Sequence, residues 1–119
     1  MAIHNKTGQY GEKLAVQYFG ERGYDILHTN WRHRHWEVDV IASKNGKLHL
    51  IEIKTRRSAR FGLPENSISP KKIQNLLNAA SAYLQQFPSW EKIQVDVLAI
   101  SLTGKETAKF FLIEDVYCY

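Results

Sequence analysis

A single cysteine, Cys118, stands next to the last residue, so no internal disulfide can form and a reducing, cytoplasmic setting is expected. No apolar run approaches the ~18 residues of a membrane span. The opening residues, Met1-Ala2-Ile3-His4-Asn5-Lys6, lack the apolar stretch of a secretory signal. Internal repeats and low-complexity tracts are missing as well, and no membrane partner is expected. What is there suits one soluble domain over residues 1–119, with 44% hydrophobic and 24% charged residues around a single core. A formal charge of +4 points to a polyanionic partner only where the cations cluster.

The most informative stretch covers residues 36–57, WEVDVIASKNGKLHLIEIKTRR. Alternation of period two on both sides of Asn45-Gly46 predicts two strands, and that dipeptide favours a type I′ turn because both central residues need positive φ. The turn sets Lys44 against Lys47, Ile41 against Leu50, Asp39 against Glu52 and Glu37 against Lys54. Asp39 and Glu52 then become cross-strand neighbours, an arrangement that destabilises a sheet unless something neutralises it. A shared proton, a nearby cation and a bound divalent metal all answer this. Lys54 is expected two residues along the face of Glu52, and two carboxylates with an ammonium on rigid strands resemble a metal-assisted hydrolytic site. Exposed strands also carry Glu and Lys in alternation as ordinary solvent pairs. Ile41, Leu48 and Leu50 on the same face make its turn-side half apolar, which points instead to the edge of a cleft.

Around the hairpin, residues from about 8 to 22 have helical periodicity, with Asn5 or Thr7 as cap and Gly23 just past the end. Glu12 lies on the flank of the apolar face. Residues 24–28 read as a short strand, and 29–36 combine Arg32 and Arg34 with His33, His35, Trp31 and Trp36, a mixture suited to phosphate contact and base stacking. His33 and His35 near Glu37 and Asp39 form a weak zinc pattern, lacking a cysteine or a helical histidine pair; a polar strand entering the hairpin is the stronger reading. Arg56, Arg57 and Arg60 begin a basic loop that continues to Ser69 and suits delivery of a phosphodiester to the acidic site. Ser69-Pro70 starts a second helix whose stripe is Ile73, Leu76, Leu77, Ala80, Leu84 and Phe87, ended by Pro88. Lys71 and Lys72 sit in its first turn, where a cation opposes the macrodipole but suits a phosphate. Residues 93–100 read as a strand buried on both faces except at Gln94 and Asp96, and 109–114 as a last strand. The order α-β-β-β-α-β-β implies a crossover, and hence a mixed α/β sheet covered by helices.

Asp39, followed on the next strand by Glu52-Ile53-Lys54, matches the D…ExK pattern of the PD-(D/E)xK, restriction-endonuclease-like fold. With it come Gly8, Gly11-Glu12, Ala15, Gly23-Tyr24, Asn30-Trp31-Arg32, residues 37–42, Thr55-Arg56, Phe61-Gly62, Lys71-Lys72 and Val95-Asp96-Val97. Over nearly the whole chain this set resembles the bacterial YraN-like family, itself similar to archaeal Holliday-junction resolvases. The resemblance implies a mixed central β-sheet flanked by α-helices and divalent-metal-dependent cleavage of DNA, structured DNA such as junctions included. It implies Glu12 as an additional acidic site residue, Asp39 and Glu52 as metal ligands, and Lys54 beside the attacking water. The carbonyl of Ile53 joins the ligands, Mg²⁺ or Mn²⁺ is the expected cofactor, and a homodimer follows by likeness to the resolvases. Arg32, Arg56, Arg57, Arg60, Lys71 and Lys72 are expected to hold the nucleic-acid backbone without reading sequence, since no base-reading helix is evident. The family usually has Gly where this chain has Trp36, a ring that narrows the cleft or stacks on a base.

Two other classes fit the same residues. One is a nucleic-acid-binding protein with an inactive nuclease fold, which binds without cutting. The other is a protein-interaction adaptor whose basic loop docks an acidic partner, and which fails to bind nucleic acid even at low salt.

Overall fold

The computed structural model of this chain describes residues 2–56, 69–102 and 108–116. The elements are α1 (Ala2–Glu21), β1 (Asp25–His33), β2 (Trp36–Lys44), β3 (Lys47–Arg56), α2 (Pro70–Gln86), β4 (Ile93–Ser101) and β5 (Lys109–Ile113). They form a five-stranded sheet in the order β1-β2-β3-β4-β5. Only β3 and β4 are parallel, as a crossover through α2 requires; the other pairs are antiparallel. The mixed α/β sheet and the element order agree with the sequence reading.

Local chemistry explains the boundaries. Asn45 and Gly46 have φ of +52° and +76°, the left-handed pair of a type I′ turn, and Lys44–Lys47 and Ile41–Leu50 pair as that turn dictates. Ser69 caps α2 by accepting a hydrogen bond from Lys72 N at 3.2 Å, with Pro70 behind it at the first helical position. At the end of α1, Gly23 takes φ of +85° and Tyr24 N donates to Phe19 O at 3.0 Å, the six-to-one bond of a Schellman close. The helix starts earlier than its periodicity suggested: Asn5 and Thr7 lie inside α1 instead of capping it.

Each face of the sheet carries its own core. On one side Val38, Ile41, Leu48, Leu50 and Val95 pack against Leu76, Ala79, Ala80 and Tyr83 of α2. On the other, Val40, Ala42, Ile51, Leu98 and Ile100 pack against Ala15 and Phe19 of α1. Tyr83 is a main anchor of the α2 face, whereas Phe87, expected in its stripe, is 40% exposed. Gln94 and Asp96 are also buried, contrary to the sequence reading, because they have partners. Asp96 Oδ2 lies 2.8 Å from His49 Nδ1, while its Oδ1 accepts from Gln94 Nε2 at 2.8 Å and Asp115 N at 3.0 Å. Lys47 Nζ donates to Gln94 Oε1 at 3.0 Å. A buried polar group is tolerated when its hydrogen bonds are made, and these are.

Candidate functional site

The site arises where the period-two alternation of two strands breaks together. On β2, Val38 and Ile41 both belong to the α2 side although they are three residues apart, while Val40 belongs to the α1 side. On β1, His28 and Trp31 both meet Tyr83 of α2, again three apart. Between them Thr29 lies against α1, and Asn30 Nδ2 donates to Glu12 of α1. Strict alternation places residues three apart on opposite faces, so each strand changes phase within those three steps. Thr29 pairs with Val40 and Trp31 with Val38, which sets Asn30 opposite Asp39. Asn30 has φ of +52°, a left-handed conformation that Asn tolerates better than most residues.

The β2–β3 ladder ends at this phase change. It runs from Lys44–Lys47 to Val40–Ile51 and no further. Asp39 and Glu52 are therefore not a regular cross-strand pair as predicted; Asp39 turns its carboxylate to the opened edge of β3 and accepts from Ile53 N through Oδ2 at 2.8 Å. Glu37 pairs with Arg32 at 3.1 Å, not with Lys54. The two acids are nevertheless near enough that the charge of Asp39 is felt at Glu52.

Their surroundings shift both acids. Glu52 is only 5% exposed; burial, then the Asp39 carboxylate, pushes it up to about 7 against the opposing pull of Lys72 and Lys54. Burial likewise raises Asp39, although the Ile53 N–H and Lys72 work the other way. Lys72 Nζ sits 3.2 Å from Glu52 Oε2 and Lys54 Nζ 3.9 Å from the same oxygen. Burial tends to lower the Lys72 ammonium, but attraction to Glu52, Asp39 and Glu37 leaves it raised. Of the three neutralising devices anticipated, a nearby cation is in place, and the nearer of the two comes from α2.

Glu12 enters the same neighbourhood from α1. A cleft of about 470 Å³ is lined by Gly8, Glu12, Asp39, Lys54, Thr55 and Arg56. Helix and strand approach closely here: a Cβ on Gly11 would run into Thr55 Oγ1, so the absent side chain lets α1 lie low enough for Glu12 to reach the cleft. Asn30 Nδ2 then donates to Glu12 Oε1 at 2.7 Å. Sequence periodicity gave Asn30 no role, and the resemblance named it only within Asn30-Trp31-Arg32; its signal was a turn-favouring residue in the segment leading into the hairpin.

The expected cations part company. Arg56 lines the cleft and Lys71 is exposed at the start of α2, whereas Lys72 is committed to Glu52 and Arg32 to Glu37. Arg57 and Arg60, with residues 57–68 of the basic loop, lie outside the described residues. His33 stands nearly parallel to Trp31, 6.1 Å away at 12°, and to Trp36, 6.3 Å away at 20°, while His35 is exposed. Among the described residues no group of three or more His, Cys, Asp or Glu stands together as a metal-holding cluster. Trp36 packs against the α2-side core and is not among the residues lining the cleft.

Comparison with known proteins gives the family of this chain. Residues 11–100 match the model of the uncharacterised protein family UPF0102. A UPF0102 protein of Bacteroides fragilis is 40% identical over 100 residues, covering 84% of this chain and 83% of its own. One from Christiangramia forsetii is 37% identical over 119 residues, covering 100% and 99%, and one from Syntrophomonas wolfei is 41% identical over 99 residues, covering 82% and 86%. The chain belongs to the UPF0102 family, the YraN-like group of restriction-endonuclease-like proteins.

Proposed function

We propose that this protein is a divalent-metal-dependent endonuclease that hydrolyses nucleic-acid phosphodiester bonds, with structured DNA such as junctions as its substrate. The observation that carries this reading is the Glu52 carboxylate, only 5% exposed, held beside Asp39 at the open end of a strand pair. Two acids held so close resist ionising together, and a cation between them relieves that resistance. The donors suit a hard ion: Asp39, Glu52 and the Ile53 carbonyl would hold Mg²⁺ or Mn²⁺ through oxygen. Ile53 sends its N–H to Asp39, and in an extended strand its carbonyl leaves on the same side. The chemistry such an ion supplies is polarisation of the phosphate and a lower pKa for a bound water.

The remaining roles belong to the chain itself. Lys54, at the cleft wall, donates to the attacking water or to a phosphate oxygen as charge develops there. Hydrolysis adds the water oxygen to phosphorus, breaks one phosphorus–oxygen ester bond and delivers a proton to the departing sugar oxygen. Glu12 faces the cleft as a third acid and accepts a hydrogen bond from water entering it. Arg56 and Lys71 hold the phosphate backbone, contacts that position without reading sequence.

One observation favours a second reading, a nucleic-acid-binding protein that does not cut. Lys72 already neutralises Glu52 at 3.2 Å. A cleavage panel of four-way junction, flap, duplex and single strand, with Mg²⁺ or Mn²⁺, separates the two. The wild type is expected to cut at least one substrate, and Asp39→Asn and Lys54→Ala to lower the rate by about a hundredfold or more. Equal cutting by all three proteins means a contaminant. Metal-independent binding that weakens with salt, without any cutting, moves the conclusion to the non-catalytic binder.

A further inference from the structure

We infer that Asn30 is the positioning residue of this cleft, fixing Glu12 through its side-chain amide and Asp39 through the phase change of its own strand. Three observations converge on it. Its Nδ2 donates to Glu12 Oε1 at 2.7 Å, a short contact between residues 18 apart in sequence. Its φ of +52° falls where β1 changes phase, and the residue opposite, Asp39, is where β2 changes phase. Both acids it governs line one cleft.

Each link has a physical cause. An amide offers donors as well as an acceptor, so turning Nδ2 to Glu12 holds one oxygen of a carboxylate that lines the cleft. The left-handed backbone turns Thr29 and Asn30 together toward α1, where Glu12 is. Paired strands keep their faces in common, so β2 follows and carries Asp39 to the α1 side as well. Had both strands kept strict alternation, Asp39 would share a face with Ile41 and point into the α2-side core. An exposed hydrogen bond between a helix and an edge strand is by itself ordinary. What distinguishes Asn30 is that one residue aligns acids from two elements.

The use of Glu12 and Asp39 in hydrolysis rests on the nuclease reading, but the contact does not, and the tests keep them apart. Asn30→Asp places a carboxylate against Glu12 while keeping a residue that accepts positive φ. It is expected to lower the unfolding midpoint by several degrees. Glu12→Gln added to it supplies a donor for the new carboxylate and restores at least half of that loss, because the same bond forms in the reverse sense. No rescue in the double variant overturns the inference, whether or not the protein cuts DNA.

The second test reads positioning instead of stability. Asn30→Gly tolerates the same φ but has no amide. With a substrate the wild type cuts, kcat is expected to fall roughly tenfold to a hundredfold while KM for DNA stays within about twofold. Asn30→Gly combined with Glu12→Ala is expected to be no slower than Glu12→Ala alone, because both changes remove one device. Unchanged kcat in Asn30→Gly, or losses that multiply in the pair, overturns the inference. A wild type that cuts nothing defeats the nuclease reading alone, and the rescue experiment still decides the role of Asn30.

Discussion

At the scale of single residues, Glu52 concentrates the chemistry. Its folded pKa of about 7 lies above the ordinary value of 4.5, so the folded protein holds a proton that the unfolded chain releases. The sign follows directly. The contribution of Glu52 to stability is fully present below about pH 4.5 and is lost as the pH rises toward 7. Converted at about 1.36 kcal/mol per pH unit, the loss is on the order of 3 kcal/mol. Glu52→Gln removes the titration, so its urea midpoint is expected to gain on the wild type between about pH 4.5 and 7 and to hold that gain above. A difference between the two proteins that does not change with pH would sink this account. Lys72 was legible in the sequence as a phosphate-binding cation in the first turn of a helix. Its ion pair with Glu52 depends on where α2 crosses the sheet, which no local pattern specifies.

At the scale of elements, the closeness of α1 to β3 is set by a missing side chain. Gly11→Ala gains about 1 kcal/mol in helix propensity. Its new Cβ meets Thr55 Oγ1, so α1 must lift away or Thr55 must turn. A net loss of about 1–3 kcal/mol is expected from this overpacking. Adding Thr55→Ala opens the space, and recovery of the urea midpoint in the double variant checks the cause; a single variant as stable as the wild type refutes it. The elements differ in how far they could be read in advance. Asn45-Gly46 and Ser69-Pro70 are local chemical signals, and the turn, the register beside it and the cap of α2 followed from them. The phase change at Asn30 and Asp39 was not visible, because a period-two reading assumes an uninterrupted pleat. That assumption also made Asp39 and Glu52 a regular pair, when the ladder in fact ends one step earlier. Gln94 and Asp96 misled for a related reason: polarity argues for solvent unless the partners, here His49 and Lys47, are known.

At the scale of the whole molecule, the formal charge of +4 counts less than which cations are free to act. Lys71 and Lys72 are neighbours in sequence, yet one is exposed and the other lies 3.2 Å from Glu52. Each phosphate contact steepens the salt dependence of DNA binding by close to one unit in the log–log slope. Lys71→Ala is expected to flatten that slope by about 0.9, and Lys72→Ala by less than half as much. Titrations of labelled DNA between about 50 and 200 mM salt measure both, and equal slopes for the two variants would contradict the division of labour.

The irregularities of β1 have one more effect, away from the chemistry. As the first strand of the sheet, β1 has one edge with no neighbouring strand among the described residues. A straight edge is a template on which another chain adds itself, and growth of that kind ends in aggregates. The register shift between Ile26 and His28 and the left-handed Asn30 leave no long straight run for an incoming strand to follow. Only β2, bent at the matching place, fits. The same bend that opens a cleft between helix and sheet thus makes this margin a poor template for a further strand: geometry that serves the site also spoils the edge for strangers.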